Sequence, residues 1–549
     1  MIKRFVFFLI GALALWPAAA QDRIFAVTDR NAYLAGDLVF CSLFYTAENG
    51  QMGDFSAVSY LELVSADGTA VEAKIGLFNG RGSGSFRIPA QTPTGYYRLM
   101  AYTARSQALA ESARLIAVYN TKEGTRVKDG VKVVPAQDWK APKNEPDSEE
   151  GGLSLSMPAR LRQNREASLL ISAPKGGADL SVSVFHDDAL VASDGKTLAA
   201  FLGGSNAAPG KRSGEYEGEI IQANVEGLEQ GTDEQKDQVT AFLSSAGDPS
   251  NVYIGRSDRN GRILFFTNNI YGDVELVCEV TSAQGRRCHM NLSSPFYHPE
   301  AGEDMPLLSI SPAQREALVA RKAALQAQSA LQMDTLVRFL PKRENLLLSG
   351  ANKVRYHLDD YTRFTSVREI CVEFISELQF VHRDNRWRIR MLVNDGASSR
   401  TYVQDNILVL MDGVVITDHG ILEDFDAMLL EDIDIYKQPV MMGGVTFNGV
   451  VNFITKRNYV TALRFPDNVR VIDFKGVSFP VAYPGALPAG TTADTRQLLY
   501  WHPALEIPSE GQARILLKTP SYSGHFRVVV EGWSSDGKPL RAQYNFTVE

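Results

Sequence analysis

The side chains that could do chemistry in this sequence are scattered histidines and carboxylates. Zinc peptidases place two histidines and a glutamate on one helix face, but His-Glu-x-x-His is absent and none of the eight histidines has a glutamate three residues later. His298-Pro299-Glu300 matches half of the zinc-deaminase signature, and the Pro-Cys-x-x-Cys half is missing. A Gly-x-Ser-x-Gly turn for a serine nucleophile is missing too. The sequence therefore predicts no enzymatic activity, no metal site and no cofactor.

The remaining polar clusters have structural explanations. His186-Asp187-Asp188 ends a strand pattern, and successive strand side chains point to opposite faces, so we interpret it as a polar strand end rather than a metal site. Asp359-Asp360 and Glu431-Asp432 are adjacent rather than facing, which favours solvated or turn residues. The glycine-rich stretch 79–86 lacks the Gly-Lys-Ser/Thr ending of a phosphate loop and precedes no helix pattern, so it predicts a sandwich turn.

Length and composition indicate an ordinary multidomain protein. At about 100–200 residues per domain, 549 residues predict three to five domains. A hydrophobic content of 44% is ample for packed cores, and 22% charged residues with a net charge of −8 are typical of a mildly acidic soluble chain. Nothing in this charge balance indicates a nucleic-acid partner.

The first twenty residues predict a secretory signal peptide. Lys3 and Arg4 precede an apolar run, and Ala18-Ala19-Ala20 supplies small residues for cleavage. The junction has no cysteine for a lipid anchor, and no later run of about 18 apolar residues follows. We expect an exported protein without an integral membrane segment after cleavage, located in the periplasm or associated with the outer membrane.

The four cysteines fall into two kinds. Cys278 and Cys288 flank a predicted hairpin turn, where an exported compartment permits a disulfide bond. Cys41 and Cys371 are expected to be isolated core residues. Because spacing alone does not fix the pairing geometry, the bridged and unbridged states of Cys278 and Cys288 both remain open.

Strand patterns with turn residues every eight to twelve positions dominate the chain. They predict a β-sandwich, a proline-containing linker, a second smaller β-domain, a third sandwich and a C-terminal sandwich. The corresponding ranges are 22–120, 134–152, 153–210, 215–297 and 461–549.

Two helices are predicted between these β-regions. The first, at 311–340, starts with Ser311 as N-cap and Pro312 in the first turn; its thin apolar face indicates a helix lying along another domain. The second begins at the capping box Ser366-Val367-Arg368-Glu369. Its apolar residues recur at helical spacing, so we expect it to pack on a sheet formed by residues 407–456.

Residues 407–456 contain three strand patterns joined by turns. An apolar run ends in Asp412-Gly413, an alternating strand follows at 432–436, and a glycine-rich turn at 443–449 leads into the strand Val450-Val451-Asn452-Phe453-Ile454-Thr455-Lys456. In order and spacing this resembles the plug domain of TonB-dependent outer-membrane receptors, which implies a plug-like domain at 346–460. A plug sits inside a 22-stranded barrel of about 220 strand residues, yet 93 residues follow Lys456. We therefore expect a free-standing plug-like domain or one that docks on another protein.

Other segments resemble accessory domains of exported Bacteroidetes proteins. The first and last sandwiches are similar to macroglobulin-like domains, and Asp258-x-x-Gly261-x-x-x-Phe265 resembles carboxypeptidase-regulatory-like sandwiches, which are not the peptidase itself. Together the resemblances imply a multidomain, mainly β fold. It consists of several immunoglobulin- or macroglobulin-like sandwiches and a small α+β plug-like domain.

The resemblances imply a non-enzymatic scaffold or accessory binding protein associated with an outer-membrane complex such as a transporter. The residues expected to contact an outer-membrane barrel or transporter protein are Asp412, Gly413, Gly443, Gly444 and Gly449. The alternative for these residues is that they only shape turns. The alternative function is a macroglobulin-like protease-binding protein, although no Cys-Gly-Glu-Gln thioester occurs and only residues 145–150 could serve as bait.

Overall fold

The fold is that of a computed structural model, which describes residues 23–46, 52–106, 113–122, 131–134, 146–191, 197–198, 200, 213–227, 239–246, 251–268, 270–282, 288–300, 305–330, 338–339, 348, 351–383, 386–394, 400–403, 405–423, 425–457, 463–483, 493–509 and 511–549. The predicted signal peptide lies outside these residues, as do positions 135–145 of the predicted linker. Among the described residues, no helix combines the length and apolarity that crossing a membrane requires.

The elements of the described residues are numbered in chain order. The strands of the first half are β1 (Arg23–Thr28), β2 (Ala32–Leu34), β3 (Leu38–Thr46), β4 (Val58–Ser65), β5 (Gly68–Phe78), β6 (Arg81–Arg87), β7 (Gly95–Tyr102), β8 (Arg114–Tyr119), β9 (Val131–Val133), β10 (Pro146–Glu150), β11 (Ser154–Ser156), β12 (Arg160–Leu161), β13 (Glu166–Ser172), β14 (Ala178–His186), β15 (Ile220–Glu226), β16 (Val239–Ser245), β17 (Asn251–Arg256), β18 (Arg262–Phe266), β19 (Asp273–Ser282) and β20 (His289–Leu292). Those of the second half are β21 (Leu308–Ile310), β22 (Arg338–Phe339), β23 (Val354–His357), β24 (Leu378–Arg383), β25 (Arg386–Asn394), β26 (Arg400–Val403), β27 (Ile407–Met411), β28 (Val414–Val415), β29 (Leu430–Tyr436), β30 (Val440–Met442), β31 (Val445–Phe447), β32 (Gly449–Thr455), β33 (Arg470–Lys475), β34 (Val481–Ala482), β35 (Leu498–Ile507), β36 (Gln512–Lys518), β37 (Gly524–Ser534) and β38 (Pro539–Val548). The α-helices are α1 (Pro312–Ala330), α2 (Val367–Glu373) and α3 (Gly420–Glu423), and short 3-10 helices span Leu358–Asp360 and Ala427–Leu429.

The first domain is a sandwich of eight strands in the order β1-β3-β6-β5-β4-β7-β8-β2. Its neighbouring strands are antiparallel except β2 and β8. Asn79 and Gly80 connect β5 to β6 with φ of +48° and +76°, as a two-residue type I′ hairpin requires. The glycine-rich stretch is therefore a sandwich turn, as predicted.

The second β-domain and the C-terminal sandwich, predicted as separate units, form one sandwich. β14 lies between β37 and β35, and β13 pairs with β36. One core contains Leu169 and Val182 from the earlier segment and Phe526 and Phe546 from the later one. The separate ranges 153–210 and 461–549 were wrong because alternating patterns show which strand face is buried but not which strands pair. The linker prediction is also corrected, since residues 146–150 form β10 at the edge of this sandwich.

The third domain is a sandwich of the sheets β18-β15-β20 and β17-β16-β19-β33 around one core. Its last strand, β33, comes from the range assigned by sequence to the C-terminal domain. Cys278 on β19 and Cys288 beside β20 are both buried in this core. They belong to different sheets rather than to one hairpin, and the structure carries no disulfide bond at any of the four described cysteines. The bridge between Cys278 and Cys288, which the sequence left open, is thus not formed in it.

Helix α1 begins as predicted and lies on the surface of the sandwiches. The predicted end at residue 340 was wrong, because Arg338–Phe339 form β22. Ser311 and Gln314 cap its start reciprocally, with N···O distances of 2.7 and 3.5 Å. Its buried Arg321 donates to both oxygens of Asp188, at 2.7 and 2.8 Å, and to the carbonyl of Ala32 at 2.9 Å. The expectation that this helix lies along another domain is confirmed.

The described residues from 351 to 457, within the range predicted to be a plug-like domain, form a module with three layers; we call it the plug-like module after that prediction. The mixed sheet β23-β29-β32-β27-β28, in which β27 and β32 are parallel, packs on α2 and on the antiparallel sheet β24-β25-β26 through one core. The predicted capping box of Ser366 and Glu369 starts α2, and Ile370 is buried beneath it. The sheet of residues 407–456 and its packing on this helix are confirmed. So is the fold class: a multidomain, mainly β chain with several sandwiches and one small α+β module.

Candidate partner-binding surface

Asp412 and Gly413 form the tight turn between β27 and β28. Their φ values of +48° and +82° again fit a two-residue hairpin turn. The Asp412 side chain is 8% exposed, and its two oxygens accept hydrogen bonds of 2.7 Å from the amide and the hydroxyl of Thr455. Its carboxylate therefore serves the module's own fold instead of facing a partner.

Two of the three other predicted contact residues, all glycines, are enclosed by the chain itself. A side chain at Gly443 would come within 2.3 Å of the carbonyl oxygen of Ile254 in the third domain, and one at Gly449 within 2.4 Å of the sulfur of Met391. Gly444 opens to free space. The five predicted residues are therefore not gathered into one exposed surface.

The reason is that the third domain covers the second face of the five-stranded sheet. Phe242 and Ile254 of that domain share a core with Leu408, Leu410 and Val450 of the sheet. The hydroxyl of Ser244 also accepts from the amide of Val415 at 3.3 Å. Both faces of the five-stranded sheet are therefore buried. A partner can contact the module only through its other layers, which are helix α2 and the sheet β24-β25-β26.

We expect Gly449→Val to destabilise the module more than Gly449→Ala, because the larger side chain has to displace Met391 and approach the carbonyl oxygen of Tyr436, 3.0 Å from the first added carbon. Overpacking of this kind costs about 1–3 kcal/mol. Gly444→Ala is the matched control, because the added methyl group contacts no other atom. This variant loses only about 1 kcal/mol of stability, since alanine is strained at the backbone φ of +74°. Urea unfolding of the three variants measures the difference, and equal midpoints for Gly449→Val and Gly444→Ala would contradict the enclosure of Gly449.

The outer layer of the module carries a row of arginines that sequence reasoning missed. Along β25, Ile389 and Met391 point into the core, so the alternating Arg386, Arg388 and Arg390 point outward. Residues two apart on a strand are about 6.6 Å apart. We call the outward side of β24 and β25 with Arg383, Arg386, Arg388 and Arg390 the arginine face.

The pairing register concentrates positive charge on this face. Arg383 lies opposite Arg386, Val381 opposite Arg388, and Gln379 opposite Arg390. Like charges directly opposite each other destabilise an antiparallel pair, so the pairing of Arg383 with Arg386 does not stabilise the fold.

The cations of the arginine face are poorly neutralised. Within the described residues, no ion pair involves Arg386, Arg388 or Arg390, and the Nε atom of Arg390 is buried without a hydrogen-bond partner. The Arg390 guanidinium lies 5.5 Å from the ring centroid of Tyr402. The described residues thus supply no carboxylate partner for these three guanidinium groups, on a chain of net charge −8.

Arg388 also influences the layer beneath it. Burial, and then the positive charge of Arg388, lower the pKa of His419 to about 4, against an opposing effect of Asp418. The Nδ1 atom of His419 accepts from the amide of Ile389 at 2.8 Å, so the neutral ring holds β25 in place. The signal that could have revealed the face is the alternation of Arg386, Arg388 and Arg390 with apolar residues in the printed sequence.

The clusters considered first in the sequence have protein partners. Asp187 pairs with Arg527 at 2.8 Å and Asp188 with Arg321 at 2.7 Å, which agrees with a polar strand end. In the part of the chain that the structure describes, no group of three or more histidines, cysteines or carboxylates is arranged to hold a metal ion.

Comparisons with known proteins identify no family. No protein-family model matches the sequence, and a search of curated proteins finds no match either. Among solved structures, a Salmonella alpha-2-macroglobulin mutant has a TM-score of 0.24 and 10% identity, covering 96% of this chain and 39% of its own. The native Escherichia coli alpha-2-macroglobulin has a TM-score of 0.25 and 9% identity, with 97% and 40% coverage. The elastase-activated E. coli protein has a TM-score of 0.25 and 9% identity, with 96% and 44% coverage. The chain thus spans about two fifths of the macroglobulins it matches, and TM-scores this low carry no functional conclusion.

Proposed function

We propose that this protein is an exported, non-enzymatic scaffold that docks on an outer-membrane protein complex through the arginine face of its plug-like module. The observation that carries the proposal is the set of three outward arginines on β25, for which the described residues supply no ion pair. The sequence resemblance to receptor plugs supplies the class of partner, an outer-membrane barrel or transporter protein.

The partner surface should be acidic, since guanidinium groups bind carboxylates through paired hydrogen bonds. A row of cations about 6.6 Å apart on a rigid strand matches acidic side chains better than apolar ones. In this proposal the glycine turn at Gly443 lets the five-stranded sheet pack closely on the third domain. The arginine face, on the opposite side of the module, then remains available to a partner.

The test replaces Arg386, Arg388 and Arg390 together by glutamine in the full chain. Because electrostatic complementarity governs the association, we expect affinity for outer-membrane protein complexes to fall about tenfold or more, and wild-type binding to weaken with salt. Co-fractionation with outer membranes and co-purification in mild detergent measure the change.

The matched control removes three exposed cations elsewhere, Arg256, Arg259 and Lys322, and should retain binding. Equal retention of both triple variants would overturn the role of the arginine face. Recovery of the wild-type protein wholly in the soluble fraction, with no barrel protein attached, would overturn the scaffold function itself.

The protease-binding alternative receives little support from the described bait region. Residues 146–150 are hydrogen-bonded to β38 as a strand rather than presented as a loop. Incubation of the chain with trypsin distinguishes the two functions, because a trap is cleaved and then retains the protease, whereas a scaffold does not retain it.

A further inference from the structure

A cleft of about 550 Å³ lies away from the arginine face, where three parts of the chain meet. Its walls are the β5–β6 hairpin of the first sandwich, the segment 216–219 that leads into the third domain, and the segment 477–480 after β33. This volume lies within the range of small-ligand sites, which often form at domain interfaces.

Buried polar contacts hold the walls of this cleft in place. The Glu215 carbonyl accepts from the amide of Ala57 at 2.6 Å, and the Glu215 carboxylate accepts from the hydroxyl of Tyr60 at 2.7 Å. Below them, Lys74 and Glu219 form an ion pair of 2.6 Å, with exposures of 2% and 3%. The cleft is therefore preformed, which lowers the entropic cost of binding a ligand.

Two aromatic side chains from different walls extend into the solvent of the cleft. Phe78, directly before the Asn79-Gly80 turn, is 73% exposed, and Tyr216, directly after the anchored Glu215, is 62% exposed. Two large rings exposed on rigid backbone at one cleft form an apolar surface whose burial by a ligand is favourable.

Polar groups between the rings favour a hydroxyl-rich ligand. The exposed carboxylates of Asp54 and Glu217 can accept hydrogen bonds from hydroxyl groups. Ser56 lines the cleft with a buried hydroxyl that has no hydrogen-bond partner within the described residues. The lining cation Arg81 is paired with Asp179 at 2.9 Å, and the lining carboxylate Glu219 with Lys74 at 2.6 Å. The exposed carboxylates of Asp54 and Glu217 therefore dominate the charge of the cleft and disfavour an anionic ligand.

An extended peptide fits this cleft less well. β6 is paired with β3 and β5, and β5 with β6 and β4. The amides of Leu77 and Ser478 are bonded to the carbonyls of Ala57 and Lys74, at 2.7 and 2.8 Å. Peptide strands bind by adding to a free sheet edge, and these walls offer side chains instead.

We propose that this cleft binds a short neutral oligosaccharide. The rings of Phe78 and Tyr216 stack on the apolar C–H faces of sugar rings, and the exposed carboxylates of Asp54 and Glu217 accept hydrogen bonds from the sugar hydroxyl groups. The site is independent of the arginine face and of its partner.

The test is calorimetric titration of the full chain with maltotriose, cellotriose and the N-acetylglucosamine trimer, and with trigalacturonate as the anionic counterpart. We expect at least one neutral trisaccharide to bind with a Kd of about 10 μM to 1 mM, and trigalacturonate to bind at least about tenfold more weakly. Tyr216→Ala and Phe78→Ala should each weaken neutral binding about tenfold, whereas Tyr216→Phe keeps the ring and should retain it.

Phe266→Ala is the matched control, since Phe266 is 70% exposed and lies outside the cleft lining. Circular dichroism checks that each variant is folded. The proposal is overturned if no neutral trisaccharide binds at about 10 mM, if trigalacturonate binds as tightly, or if Phe266→Ala weakens binding as much as Phe78→Ala.

Discussion

Replacing Arg321 by alanine should destabilise the docking of helix α1 by about 3–5 kcal/mol, the usual cost of removing one partner from a buried ion pair. Arg321 and Asp188 are 4% and 8% exposed, and the guanidinium also donates to the carbonyl of Ala32. The variant leaves the Asp188 carboxylate buried beside Asp187 without a guanidinium, although the amide of Leu190 at 2.9 Å and the His186 ring at 3.6 Å remain next to it. Hydrogen exchange of the α1 amides and urea unfolding measure the loss.

The exposed neighbour Lys322 provides the control for this prediction. Lys322→Ala should change stability by less than about 0.5 kcal/mol. A double-mutant cycle with Asp188→Asn should show that the two losses are strongly non-additive, because both remove the same contact. If Arg321→Ala costs no more than Lys322→Ala, the helix is not anchored by this pair.

Replacing Glu279 by glutamine should make the contact between the third domain and the plug-like module more stable at pH 8 than in the parent, by up to about 3 kcal/mol. Glu279 is 4% exposed and accepts a hydrogen bond from the hydroxyl of Thr417 across this contact. Burial raises its pKa from 4.5 to about 7, although the bonds from Thr417 lower it. The folded state therefore binds this proton more tightly than the unfolded state.

The sign of the pH dependence follows from that difference. A raised carboxyl pKa stabilises the fold fully below about pH 4.5, and the contribution is lost as the pH rises to about 7. His419 acts in the opposite direction, because its pKa of about 4 lies below the ordinary 6.5, so its contribution is lost as the pH falls through this window. Both proteins contain His419, so its effect cancels when the free energies of unfolding of Glu279→Gln and of the parent are subtracted. This difference in free energy reports the Glu279 carboxyl group alone.

The difference in free energy of unfolding between Glu279→Gln and the parent should be near zero at pH 4.5 and grow steadily to pH 7. Urea unfolding followed by pulsed hydrogen exchange of the β19 amides measures it. Glu275→Gln is the control, because Glu275 lies on the same strand and is exposed. A difference that stays constant from pH 4.5 to 8 would contradict a buried, titrating Glu279.

Local signals in the sequence were sufficient for local structure. The capping box at Ser366, the Asn79-Gly80 and Asp412-Gly413 turns and the mixed sheet of the plug-like module each depend on residues close together in the chain, and each was predicted. The shared sandwich was not predicted, because the strand partners of β14 lie about 300 residues away and an alternating pattern does not name its partner.

The candidate partner-binding residues also could not be judged from the local sequence alone. Gly443 and Gly449 were chosen as contact residues because glycine turns are commonly exposed. Whether a turn is exposed depends on what packs on it, and here Ile254 of another domain and Met391 of another strand do so. The arginine face was readable in the sequence as an alternating pattern, but its significance rests on the cross-strand pairing of Arg383 with Arg386.

The position of β14 between β35 and β37 also sets the order in which the chain can fold. At about 5–20 residues per second, strands about 300 residues further on leave the ribosome roughly 15–60 s after β14. During that interval the apolar side chains of β14, among them Val182 and Val184, have neither neighbouring strand to cover them. The sandwich is then completed last, around domains that have already formed, so the nascent chain needs a chaperone or a fully unfolded export state to keep β14 from aggregating.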